Sequence, residues 1–363
     1  MASLRVLLEE MLERNASDLH LSAGHPPQLR VDGELLSSRS AEALSPETTL
    51  QLAYSILTED QRKRFENERE LDLSFGIRGV SRFRANVYMQ RGSVSVALRR
   101  IPFEILSFEE LGLPPVVQDL SAKPRGLILV TGPTGSGKST TLASILDKIN
   151  REKRLHIITI EDPIEYVHQN QASTIDQREV GSDTASFHAA LKYVLRQDPD
   201  VILIGEMRDL ETIQAALTIA ETGHLALATL HTNSAAESIN RIVDVFPSNL
   251  KNEVQAQLAF VLEGVICQQL IPRSFGSGRA MISEVLVCTP AIRAAVREGK
   301  IHQIYGMMQA GTKYGMQTMN QSLLQAVRRR LLSREDALER SFDPKELEQM
   351  FGRATAPVPA GRR

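Results

Sequence analysis

Hydrophobic positions along this chain change their rhythm near residue 100. At the start, Leu4, Leu7, Leu8, Met11 and Leu12 return to one face every three or four residues, which predicts a helix. Leu29-Arg30-Val31 and Leu35-Leu36 then flank Asp32-Gly33, a hairpin signal. Further on, Phe83, Ala85, Val87 and Met89 alternate with Arg82, Arg84, Asn86 and Tyr88. Val94, Val96 and Leu98 alternate in the same way with Ser95, Ala97 and Arg99. An N-terminal α+β domain over residues 1–100 accounts for these periods.

A connection over residues 101–115, carrying Pro102, Pro114 and Pro115, leads to a different pattern. Alternation gives way to short, wholly apolar runs at Leu127 to Val130, Ile157 to Ile160, Val201 to Ile204 and Leu225 to Leu230. Such runs predict parallel strands buried on both faces. Amphipathic helices separate them: Leu142, Ile145, Leu146 and Ile149 form one stripe. Ile213, Ala216, Leu217 and Ala220 form another, ended by Gly223. After Pro247 the spacing of Val254, Leu258, Val261, Leu262 and Val265 predicts more helix. The expected second domain covers residues 116–351. The stretch 352–363, rich in Ala, Pro, Gly and Arg, predicts a disordered tail.

Composition narrows the functional classes. A formal net charge of -2 supplies no general positive field for nucleic acid or an anionic membrane surface. Two cysteines, Cys267 and Cys288, are too few for a disulfide framework or a four-thiolate zinc site. The N-terminus lacks the signature of a secretory signal, and no apolar run approaches the ~20 residues needed to span a bilayer. A cytoplasmic protein is expected.

The sharpest chemical signal is Gly132-Pro133-Thr134-Gly135-Ser136-Gly137-Lys138-Ser139, with Thr140 next in line. It fits G-x-x-x-x-G-K-[ST] at every fixed position, between a predicted strand and a predicted helix. Glycines let successive backbone N–H groups turn toward phosphate oxygens, and the helix adds its positive end. Lys138 is placed to reach the β- and γ-phosphates of ATP, and the Ser139 hydroxyl to ligate Mg2+.

In a doubly wound sheet, ligands bind outside the carboxyl ends of the strands. Three strand ends deliver acid or imidazole to that edge: Glu161-Asp162-Pro163-Ile164-Glu165, Gly205-Glu206-Met207-Arg208-Asp209, and His231. Glu206 is the candidate base for orienting and deprotonating water. Gly205 stands where such motifs usually carry an acid, so Glu165 is the candidate for further metal support. His231 fits either a γ-phosphate contact or a structural imidazole, and His224 is a weaker candidate of the same kind. If Arg91-Gly92 form a two-residue turn, paired residues sum to 183 and Arg84 faces Arg99. Like charges across strands are unfavourable, so this register points to an anion above the pair, supplied by a neighbouring subunit's nucleotide. Two solvated arginines in another register are the plain alternative.

These motifs resemble the secretion and pilus ATPase superfamily, and most closely the PilT family of type IV pilus retraction ATPases. The likeness runs from Ala16-Ser17-Asp18-Leu19-His20-Leu21-Ser22 to about Leu332. Gly132 to Ser139 match its Walker A motif and Ile160 to Glu165 its Asp box. Gly205 to Asp209 match an atypical Walker B, and Thr222 to Thr232 a His box. The family's arginine pair falls on Arg84 and Arg99, and Thr289 to Ala295 resembles its AIRAG segment, with Ala295 in place of glycine. The resemblance implies a PAS-like N-terminal domain, a RecA-like P-loop ATPase domain and a homohexameric ring. It also implies ATP with Mg2+ as cofactors, docking on an inner-membrane platform protein of the pilus machinery, and retraction of the pilus (twitching motility). Assembly and type II secretion ATPases are the alternative within the class; they usually carry an extra N-terminal domain and a four-cysteine zinc insertion. A nucleic-acid-translocating motor is the alternative outside it, disfavoured by the absence of tryptophan and of positive excess.

Overall fold

The computed structural model describes residues 3–355 apart from 32, 78–80 and 102–103, with side chains as far as residue 352. The chain forms two compact units, Met1–Glu104 with Glu165–Val167, and Ile105–Ile164 with His168 onward.

The first unit contains α1 (Leu4–Glu13), β1 (Asp18–Leu21), β2 (Gln28–Val31), β3 (Glu34–Ser37), α2 (Pro46–Tyr54) and α3 (Glu59–Glu68). β4 (Glu70–Ile77), β5 (Ser81–Gln90) and β6 (Ser93–Ile101) complete it. Its six strands form an antiparallel sheet in the order β3-β2-β1-β6-β5-β4. The predicted alternation is realised in most of β5 and β6: Phe83, Ala85, Val87, Val96 and Leu98 are buried, together with Leu7, Leu8 and Met11 of α1, whereas Met89 is exposed and Ser95 is buried. Each of these side chains larger than Ala contributes roughly 1.5–3 kcal/mol when fully buried. Arg91 and Gly92 both have positive φ, as a tight hairpin turn requires. Asp32 of the first expected hairpin lies outside the described residues, but its flanking strands pair as foreseen.

The second unit begins with α4 (Phe108–Leu111) and α5 (Val116–Ser121), followed by β7 (Gly126–Thr131), α6 (Lys138–Glu152), β8 (His156–Glu161) and β9 (Thr174–Glu179). Next come α7 (Phe187–Val194), β10 (Val201–Ile204), α8 (Leu210–Glu221), β11 (Leu225–Leu230), α9 (Ala235–Asp244) and α10 (Lys251–Val261). β12 (Leu262–Pro272) and β13 (Arg279–Val287) form a hairpin. The chain continues through α11 (Pro290–Arg297), α12 (Ile304–Ala310), α13 (Met319–Arg328), α14 (Arg334–Arg340) and α15 (Pro344–Thr355). The sheet order is β13-β12-β7-β11-β10-β8-β9, parallel except for β13. All residues of β7, β10 and β11 are buried, which is why they read as unbroken apolar runs.

Three expectations change. The helical stripe drawn through Leu262 and Val265 ends at Val261, because those two residues begin β12. Val265, Ile266 and Cys267 are consecutive and fully buried, and they pair with Leu129, Val130 and Thr131 of β7. Gly264 sits beside the bulge that starts this pairing, where a Cβ would lie 2.8 Å from Leu120 and 3.0 Å from the Leu286 carbonyl oxygen. The connection over 101–115 is partly structured: a capping box at Ser107 starts α4, and Phe108 and Leu113 are buried in the second unit. Finally, α15 carries Gly352 to Thr355 as helix; the rest of the expected tail lies outside the described residues.

Candidate nucleotide site

β7 delivers the chain into a loop whose shape only glycine satisfies. Gly132, Gly135 and Gly137 have φ of 142°, 78° and 87°. A Cβ on Gly132 would lie 2.3 Å from the Gln268 carbonyl oxygen and 2.6 Å from Ser136 Oγ. α6 then starts at Lys138, with Gly137 as an N-cap that makes no side-chain cap bond. Most other helices here are capped by Ser, Thr or Asp, for instance α8 by Asp209 and α9 by Ser234. With no side-chain cap, the start of this 15-residue helix turns its backbone N–H groups and positive dipole toward an anion. Lys138 Nζ donates to the carbonyl oxygens of Gly132 (2.8 Å) and Pro133 (3.2 Å), which holds the amine over the loop. Ser136 is buried, whereas Pro133, Thr134 and Gly135 form the exposed tip; Ser139 and Thr140 are half-buried in the first turn of α6.

Glu206 follows β10 at the same edge of the sheet. Its carboxylate accepts from Arg208 Nη2 at 2.7 Å and lies 3.1 Å from His231 Nε2, just past β11. Burial pushes the Glu206 pKa up, but the Arg208 hydrogen bond and the charges of Arg208, His231 and Lys138 outweigh it. The net result is a pKa below the ordinary 4.5. Glu206 raises Arg208 in turn, with a smaller contribution from Asp162. Lys138, Glu206 and His231 thus form one electrostatic group with Arg208, a residue whose role sequence reasoning passed over. Its signal was an arginine two positions from the proposed base in a five-residue loop.

Gly205 stands where a side chain would be crowded. A Cβ there would sit 3.1 Å from the Ile160 carbonyl oxygen and 3.2 Å from Glu161 Cα, because the Gly205 amide hydrogen-bonds back to Ile160 at 2.8 Å. Glu161 is half-buried and accepts from Thr159 Oγ1 at 2.7 Å. Glu165 is exposed and falls in the segment grouped with the first unit.

His224 does not join the group. It precedes β11, whose first residue pairs with Gly126 at the start of β7, whereas the phosphate loop follows the end of β7. Six strand residues separate the two edges, roughly 20 Å at strand rise. His224 Nδ1 is instead within 3.0 Å of Thr222 Oγ1 and 3.2 Å of the Ile219 carbonyl, a helix-end arrangement.

In the first unit, Arg84 pairs directly with Arg99, the register derived from the turn. One row across the six strands reads Leu35, Arg30, Asp18, Arg99, Arg84, Ser74. Both arginines are exposed, and Arg99 Nε bonds Asp18 Oδ1 at 2.8 Å. Asp18 went unnoticed as a partner because its four-residue strand is too short to show a period.

Among the described residues, no three or more His, Cys, Asp or Glu side chains gather as a metal site. Mg2+ held mainly through nucleotide phosphates, water and one hydroxyl needs no such cluster, so Ser139 fits that role. Cys267 and Cys288 are free and buried.

A parallel sheet with this loop at its carboxyl edge defines the class of P-loop α/β proteins. The chain belongs to the type II/IV secretion system protein family, whose model matches residues 2–339. It is 49% identical over 339 residues to the type IV pilus retractation ATPase PilT of Pseudomonas aeruginosa, covering 93% of this chain and 98% of that protein. It is also 47% identical over 321 residues to a twitching motility protein of Neisseria gonorrhoeae, covering 88% and 86%. The crystal structure of the pilus retraction motor PilT with bound ADP matches with a TM-score of 0.91 at 52% identity, covering 96% of this chain and all of that one. The fold is that of a RecA-like secretion ATPase. No helix among the described residues is long and apolar enough to cross a membrane.

Proposed function

We propose that this chain is an ATP-hydrolysing motor that drives retraction of a type IV pilus. The observation that carries the reading is the convergence of Lys138, Glu206 and His231 at one sheet edge, beside an uncapped helix start. Backbone N–H groups of residues 134–139 and the Lys138 amine bind the phosphates of ATP. Glu206, kept ionised by its cationic neighbours, orients the attacking water and accepts its proton. His231 contacts the γ-phosphate side of the site, and Ser139 Oγ would hold Mg2+, which would neutralise charge on the phosphates. Glu165 would add support to the metal, and Arg84 and Arg99 reach the nucleotide of a neighbouring subunit.

That last assignment calls for a ring. A head-to-tail interface that closes makes a homohexamer, in which a nucleotide between subunits couples hydrolysis to movement of one against the next. The motor works in the cytoplasm, docked at the inner-membrane platform of the pilus. Coverage of 98% of the retraction ATPase from P. aeruginosa at 49% identity supports retraction over assembly. Deletion in the native host, followed by counting of surface pili, tests this. Excess pili on cells without twitching are expected; bald cells would assign the protein to assembly instead.

A further inference from the structure

We infer that Gln268 is a positioning residue for the nucleotide site, clamping the phosphate loop from a strand 132 residues away; this rests on the functional reading above. β12 runs parallel to β7 and continues beneath the loop. Along that stretch, Thr131 Oγ1 donates to Cys267 Sγ at 2.9 Å, and Gln268 Nε2 donates to the Ser136 carbonyl at 2.8 Å. The Gln268 main chain lies so close to Gly132 that a Cβ there would meet its carbonyl oxygen at 2.3 Å. Leu270 lies 3.2 Å from the corresponding position on Gly137. The start of the loop and its end at Ser136 and Gly137 therefore rest on Gln268 and Leu270, alternate residues of one strand that share a face.

Gln268 is the polar member of this support, and it is 1% exposed. Its amide group fixes the carbonyl of Ser136, and so the orientation of the peptide unit whose N–H belongs to Gly137. That unit precedes Lys138 and the first turn of α6, where phosphate-facing N–H groups must keep their direction. A buried amide with only part of its capacity used is otherwise costly. Gln268 Oε1 and Ser136 Oγ both lack a partner in this pocket, which shows that packing alone did not select polar groups here. An apolar side chain of the same length would fill the space without orienting the peptide.

Binding of ADP and of ATP with magnesium to the full-length protein and to Gln268→Leu and Gln268→Glu tests the inference, with apo melting temperature measured alongside. Gln268→Leu is expected to weaken nucleotide binding about tenfold, since it leaves the Ser136 carbonyl buried and unbonded. Gln268→Glu presents an ionised carboxylate to that carbonyl at pH 8 and is expected to bind as weakly. As pH falls and the buried acid takes up a proton, its O–H replaces the amide donor and affinity recovers toward that of the unaltered protein. If Gln268→Leu does not fold, the pH profile of Gln268→Glu decides. Unchanged dissociation constants in the variants, beside normal binding by the unaltered protein, would overturn the clamp alone, whatever happens to melting. Failure of the unaltered protein to bind nucleotide would overturn the functional reading and the clamp together.

Discussion

Glu206 and His231 stand 3.1 Å apart at the ends of neighbouring strands, although 25 residues separate them in sequence. Parallel pairing of β10 with β11 makes this meeting unavoidable, because Ile204 pairs with Ala228 and both strands end within a few residues. The carboxylate is thereby held between an imidazole, the Arg208 guanidinium and the field of Lys138.

Binding and chemistry should separate by mutation. Glu206→Gln preserves volume but removes the proton acceptor, so nucleotide binding is expected to persist while turnover falls 100-fold or more. Lys138→Ala should instead abolish binding. Equilibrium titration with a fluorescent nucleotide and a phosphate-release assay check the pair. Undiminished turnover in Glu206→Gln would move the base elsewhere, with Glu165 the first position to examine.

The ionisation of Glu206 gives a pH prediction. A carboxyl with a folded-state pKa below its ordinary 4.5 is charged across the neutral range. Its stabilising contribution is present above 4.5 and fades as pH falls through the lowered value. Arg208→Ala removes the strongest opposing charge, so the pKa climbs. The acid limb of turnover is expected to move to higher pH in this variant. An unmoved limb would show that Arg208 does not set the charge state of Glu206.

In the first unit, Glu10 offers a stability counterpart. Burial raises its pKa, yet hydrogen bonds from Ser38, the Arg39 amide, Ser40 and Arg14 outweigh this and bring it to about 2. Stability from this network is complete above 4.5 and is lost as pH falls toward about 2. Glu10→Ala should cost about 1–3 kcal/mol near neutrality and flatten the acid unfolding curve, measurable by denaturant titration at several pH values.

How much of this was legible in the sequence depends on how many tertiary partners each element needs. The phosphate loop, the four apolar strands and the 84–99 register follow from local spacing, because a glycine pattern, an unbroken apolar run and a two-residue turn each carry their own geometry. β12 failed that test. Its residues Leu262 and Val265 fall three apart and prolong a helical stripe, and only pairing with β7 makes them a strand. Gln268 was hidden with it. His224 misled because a histidine beside a strand does not announce which end of the sheet it occupies. Asp18 and Arg208 were overlooked for a related reason: each matters through one partner, and a partner is invisible until the chain is folded.

The arginine pair makes a prediction in two directions. Arg84 and Arg99 repel across the sheet, relieved in part by Asp18 on the far side of Arg99. Replacing both by alanine should leave melting unchanged or raise it by the equivalent of a few tenths of a kcal/mol. If the pair serves a neighbour's nucleotide, turnover of the assembled protein nevertheless falls, with nucleotide affinity of the isolated subunit unchanged. Intact turnover and assembly in the double variant would reduce the pair to solvated surface.

Gly205 permits the most direct test of why this site lacks the acid that usually precedes the catalytic carboxylate. If the position were merely vacant, Gly205→Asp would add a metal-binding oxygen and improve magnesium-dependent turnover. The geometry argues otherwise. The new Cβ would press on the Ile160 carbonyl at 3.1 Å and on Glu161 Cα at 3.2 Å, both of them backbone atoms at the carboxyl end of β8. Neither moves without disturbing the β8–β10 pairing that carries Glu206. Gly205→Ala alone should therefore destabilise the protein by about 1–3 kcal/mol and lower turnover, and Gly205→Asp should do both more severely. Calorimetry and phosphate release on the two variants check this, and a stable, more active Gly205→Asp protein would show that sterics do not keep the acid out.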